Sequence, residues 1–156
     1  MRIKLLRIAF IIIVFSFFKL NSQNACPVNF DGKILKVAKN DIPSWNGKII
    51  ACNGEIIEIK NGYQNKPYFK VKLENEGQIW VGSLIISGYE KEGAKLRILG
   101  YFTGTENDSL ALRFNKDGYH ILAFTLIDLT TKKMATAPGA ELQVKEWIGG
   151  AVPKSK

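Results

Sequence analysis

The stretch WNGKIIACNGEIIEIKNGYQNKPYFKVKLENEGQIWVGSLII, residues 45–86, and the segment KLRILGYF, residues 95–102, hold the clearest β signal in the chain. Apolar and polar residues alternate through residues 49–60, 68–74, 78–86 and 95–102, the two-residue period of strands that bury one face. Asn61-Gly62 and Asn75-Glu76-Gly77 interrupt the alternation with turn chemistry. Strands joined by such short connections form a meander that can curl into a small barrel.

Within the first run the phase changes at Gly54. Ile50 and Cys52 share a face before it, and Ile57 and Ile59 are expected to share the buried face after it, with Glu58 and Lys60 turned out. A glycine at such a change lets a strand bulge, bend and pair in both halves of a closed sheet. In the next runs Phe69, Val71 and Leu73, then Ile79 and Val81, point inward. Tyr68, Lys70, Lys72 and Trp80 therefore share the outward face. Leu96, Ile98, Gly100 and Phe102 are the inward set of the fourth run.

Farther along, residues 109–114 alternate through Leu110, Leu112 and Phe114 and predict a further strand, with Asn115-Lys116-Asp117-Gly118 as a hairpin turn. Residues 119–129 are apolar on both faces, so something must cover the outer one. Pro138, the spacing of Leu142, Trp147 and Ile148, and the stop Gly149-Gly150 predict a short helix that lays Leu142 and Trp147 on the barrel.

A long bent first strand, a hairpin, a glycine-flanked fourth strand and a closing strand resemble an OB-fold barrel, and the chain is similar to the small exported OB-fold proteins of bacteria over residues 47–129. The resemblance implies an all-β fold, a small OB-fold-like closed barrel of about five or six antiparallel strands. An N-terminal signal helix and one short C-terminal helix would accompany it. Residues 87–93 form a short polar connection where many OB folds insert a helix, which leaves one barrel end for another segment to plug. No catalytic residue follows from the resemblance.

Arg2, Lys4 and Arg7 precede residues 8–18, an uncharged apolar run far shorter than the ~20 residues that cross a hydrocarbon core. This is the pattern of a secretory signal, with Ser22 and Ala25 as the small residues near a cleavage point. The expected organisation is a signal peptide at 1–25, an N-terminal arm at 26–46, the barrel at 47–130 and a tail at 131–156. In the arm, Phe30-Asp31-Gly32 reads as a turn and residues 33–38 as a short strand packed across the barrel. The net charge of +8 falls to +4 once Arg2, Lys4, Arg7 and Lys19 of the leader are set aside. A mild excess of that size lacks the clustering of a dedicated nucleic-acid binder.

Cys26 and Cys52 are the two cysteines. Export predicts a disulfide between them, worth about 3 kcal/mol on the chain-entropy estimate. Lipidation of Cys26, or an uncleaved signal, is the alternative and would tether the protein to a membrane. Two cysteines with the single His120 do not make a tetrahedral metal set. Glu106, Asn107 and Asp108 read as a turn before they read as a calcium site.

His120 has no nucleophile motif beside it, Glu55 and Glu58 read as solvated strand charges, and no glycine-rich phosphate loop precedes a helix. The expectation is a protein without enzymatic activity or cofactor. Tyr68, Lys70, Lys72 and Trp80 are the candidate ligand-binding residues: two aromatic platforms between two cations, flanked by Tyr63 and Tyr89 in the loops. Such a face suits an oligomeric ligand, whether a single-stranded nucleic acid, a glycan or an acidic protein segment. The alternative is a structural protein of the cell envelope that makes protein contacts through its β edges and tail helix.

Overall fold

A computed structural model describes residues 26–62, 65–106 and 109–147, with no account of the side chains of residues 109, 110, 143 and 146. The expected signal segment, residues 1–25, lies outside them. The elements run β1 (Val28–Asn29), α1 (Gly32–Asn40), α2 (Ile42–Trp45), β2 (Ile49–Asn61), β3 (Pro67–Leu73), β4 (Gln78–Ser83), β5 (Lys95–Gly104), α3 (Ser109–Phe114), β6 (Tyr119–Asp128), β7 (Met134–Thr136) and α4 (Glu141–Glu146).

Closure depends on β2, which is long enough to serve two neighbours. Residues 49–55 pair with β5 and residues 54–61 with β3, so Gly54 and Glu55 pair on both sides at once. The hydrogen-bonded order β2-β3-β4-β6-β5 then returns to β2 and closes a five-stranded barrel, a small all-β fold with short helices. A Cβ on Gly54 would overlap Val71 Cγ1 and lie 2.6 Å from the Lys72 carbonyl oxygen, so only glycine fits this crossing. The change of phase sits farther along than expected. Residue 57 is bulged between Ile56 and Glu58, so Ile56 is buried while Ile57 is 37% exposed and Ile59 rejoins the core edge. Two contacts depart from the antiparallel expectation: β1 runs parallel to β2, and β4 and β6 run parallel through Val81↔Ile121 and Ser83↔Ala123.

Inside the barrel, Phe69, Val71, Leu73, Ile79, Val81, Leu96, Ile98 and Phe102 are all buried, as their two-residue phase requires. The arm plugs one end, as a helix where a strand was expected. Asp31 caps α1 by accepting from the backbone N–H of Lys33 at 2.9 Å and of Ile34 at 3.1 Å. Its buried positions, Gly32, Leu35 and Ala38, recur every three residues. Phe30 meets Trp45 and Phe102 at ring separations of 5.9 and 5.8 Å, which joins the arm to the barrel.

The tail covers the outer side of β5 and β6. Here β7 pairs with β6, and Val144 and Trp147 bury against Phe124, Leu99 and Ala51. The expected helix is present, but Leu142 is 79% exposed and Val144 takes the role assigned to it. Among the described residues no helix is long and apolar enough to cross a membrane.

No disulfide joins Cys26 and Cys52; the first is exposed and the second wholly buried. The parallel register Val28↔Ile50 explains this, since it puts Cys26 about four residues behind Cys52, roughly 13 Å of strand and beyond disulfide reach. Burial pushes the Cys52 thiol up to about 12, with Arg97 opposing the shift. The folded thiol stays neutral where the unfolded one ionises, so its stabilising contribution is complete below about pH 9 and is lost as pH rises towards 12. Between about pH 9 and 11, unfolding free energies from urea titration are expected to fall more steeply for the native chain than for Cys52→Ala, by up to ~1.4 kcal/mol per pH unit. Equal slopes would contradict the burial. Tyr119, whose hydroxyl burial also pushes up, contributes in the same direction in both proteins.

Candidate functional site

Pairing brings the predicted quartet onto one surface. Lys70 lies opposite Trp80 on β4 and Glu58 on β2; Tyr68 lies opposite Gly82 and Lys60; Lys72 lies opposite Gln78 and Glu55. The shared outward phase is therefore real, but the two aromatic rings are not open platforms. Tyr68 and Trp80 are only 4% and 5% exposed. They stack on each other at 5.0 Å with 9° between planes, and Ala111 and half-buried Phe114 of α3 pack over them. The segment expected to be a strand is the cover: residues three apart in a helix present Ala111 and Phe114 to the same side.

Beneath α3 lies a buried polar network. Asn115 Nδ2 donates to the Tyr119 carbonyl at 2.7 Å and to Tyr68 Oη at 3.2 Å, while Asn115 Oδ1 accepts from the Asp117 N–H at 2.9 Å. Tyr68 Oη also hydrogen-bonds His120 Nδ1 at 3.2 Å, with the direction set by the histidine tautomer. His120 is 3% exposed and stands edge-on to the Tyr68 ring, a structural partner of the stack. Asn115 escaped the sequence reading because its turn looked self-sufficient.

The cations remain accessible. Lys70 is half-buried, with Nζ 5.7 Å from the Trp80 ring centroid, close enough for a cation–π attraction. Lys72 is exposed. Lys60 is engaged with Glu58 at 2.9 Å. Of the flanking tyrosines, Tyr89 packs against the core, and Tyr63 lies outside the described residues, as do Asn107 and Asp108 of the weak calcium motif.

Lys72 also stands at the rim of a cleft of about 230 Å³ lined by Gly54, Glu55, Lys72, Leu73, Glu74, Lys95 and Leu129. Its acidic wall is braced from the neighbouring strands. Arg97 Nη1 donates to Asn53 Oδ1 at 3.1 Å, and Asn53 Nδ2 donates to both Glu74 carboxylate oxygens at 3.4 Å. Burial pulls the Arg97 guanidinium below its usual range, opposed by Cys52 and Glu74.

No protein-family model matches the chain, and no curated protein matches it. Among solved structures it is similar to part of an aspartyl tRNA synthetase from Entamoeba histolytica, at 9% identity and a TM-score of 0.42 over 73% of this chain. The chain spans 27% of that protein's length, and a likeness at this level carries no argument about function.

Proposed function

We propose that this protein is an exported, non-enzymatic binding module that takes an acidic protein segment along Lys70 and Lys72 on the outer face of β3. One observation carries the reading: α1 occupies a barrel end and the tail covers β5 and β6, while the lysines of β3 are left to solvent beside a rigid stacked pair. The ligand class follows from what surrounds them. With Tyr68 and Trp80 turned into each other, stacking surfaces for bases or sugars are covered. Export rests on the charged and apolar pattern of residues 1–18.

Anisotropy titrations with labelled oligoglutamate, oligothymidylate and a heparin oligosaccharide test the reading. Oligoglutamate is expected to bind most tightly and to weaken as salt is raised. Lys70→Gln with Lys72→Gln should cost at least tenfold in affinity, about 1.4 kcal/mol, with little change in melting temperature. Tighter binding of oligothymidylate, or an indifferent double variant, would overturn it.

A further inference from the structure

We propose that the cleft at the β2 crossing is a second site, sharing only Lys72 with the β3 face, that binds a short zwitterionic peptide with both termini free, a dipeptide above all. The cleft exists because of how the barrel closes. At Gly54 and Glu55 the strand β2 has neighbours on both sides, β3 ending at Leu73 and β5 beginning at Lys95. Leu129, tied by its N–H to the Lys95 carbonyl at 3.0 Å, walls one side, and Gly54 with buried Leu73 supplies an apolar floor.

Around that floor the charges are set in a row. Glu55 lies opposite Lys72 on β3 and opposite Lys95 on β5, so the order Lys72, Glu55, Lys95 crosses three strands at roughly 4.8 Å per step. Among the described residues, none of these three closes an ion pair with another side chain. Glu74 adds a second carboxylate, held in place by Asn53. Two cations and two carboxylates over an apolar floor repel a ligand of either single sign in part, and accept one that carries an ammonium and a carboxylate.

The row also sets the ligand's length. Its ammonium and carboxylate must stand about 5–10 Å apart to meet groups on adjacent or alternate strands. An extended dipeptide separates them by about 7 Å, whereas a free amino acid holds both on one carbon. A cleft of about 230 Å³ is smaller than the ~300 Å³ at which drug-sized pockets begin, which suits two residues with an apolar side chain on the floor.

The test is a titration of the ¹⁵N-labelled protein with leucyl-leucine, its N-acetyl and C-amide derivatives, and free leucine. Leucyl-leucine is expected to shift the amide signals of Gly54, Leu73, Lys95 and Leu129. Each capped form should bind about tenfold more weakly for the loss of one charged contact, with free leucine weaker than the dipeptide. Lys95→Gln and Glu74→Gln, both at exposed positions, should each weaken the dipeptide similarly while keeping the melting temperature. Lys70→Glu should leave the dipeptide unaffected, and Lys95→Gln should leave oligoglutamate unaffected, so either site can fail alone. Capped and free peptides binding equally, or no shift at the cleft amides at millimolar leucyl-leucine, would overturn the proposal.

Discussion

Replacing Gly54 with valine will abolish the folded barrel. Even the first added carbon would sit 2.6 Å from the Lys72 carbonyl oxygen and overlap Val71 Cγ1, a separation that real Cβ atoms essentially never show. Relief by a local shift is blocked because Gly54 is paired on both sides, with Leu73 on β3 and Leu96 on β5. Moving away from β3 drives the strand into β5. Alanine alone should cost about 3 kcal/mol, the upper part of the range for overpacking, and valine more than a small domain has to spare. Gly88→Ala separates space from backbone strain: nothing lies within 4 Å of its added carbon, but its φ is +79°, so the cost should be only about 1–2 kcal/mol. Urea denaturation read by circular dichroism ranks the three variants. A Gly54→Val protein as stable as Gly88→Ala would show that β2 does not cross between two partners there.

Phe102→Ala is expected to cost about 3–5 kcal/mol, the range for emptying a buried aromatic site. Phe102 is 0% exposed and is where three segments meet. Its ring stacks on Tyr119 of β6 at 5.4 Å, with Phe30 of the arm at 5.8 Å and Trp45 of α2 at 6.2 Å. Truncation therefore opens a cavity and unfastens the plug in the same step. Amide exchange should quicken across α1 as well as β5, whereas Leu99→Ala, buried in the separate cluster beneath the tail, should leave α1 protected. Retained protection in α1 with a loss below about 1.5 kcal/mol would show that the plug is held elsewhere.

The barrel was legible because its strands obey a two-residue period that large side chains announce. Phe69, Val71 and Leu73, with Ile79 and Val81, point inward for the reason that the alternation gives. The two short helices hide from the same signal because small residues make up much of their buried faces while some large ones face solvent. In α1 the buried set is Gly32, Leu35 and Ala38, while Val37 is 55% exposed; in α3, Ala111 is buried and Leu112 is 49% exposed. Reading the large residues alone turns both helices into strands. The two sides of the candidate site differ in the same way. The common face of Tyr68, Lys70, Lys72 and Trp80 is a local property of phase and register. The burial of Tyr68 and Trp80 depends on a helix some 30 residues downstream of Trp80, and on Asn115 and His120 beneath it, which no local pattern connects. The cysteine pair fails for a similar reason, since two residues of β1 decide where Cys26 stands.

The central claim is that ligand meets the β3 lysines beside a stack that stays closed. The most direct measurement is a ¹⁵N correlation spectrum of the protein titrated with oligoglutamate, with the indole N–H of Trp80 assigned through Trp80→Phe. The account predicts shifts concentrated at Lys70 and Lys72, a change at the Trp80 indole beside Lys70, and undisturbed signals from Ala111 and Asn115. Shifts confined to the tail around Val144 and Trp147, or loss of the Ala111 and Asn115 signals as α3 lifts from Tyr68, would contradict it.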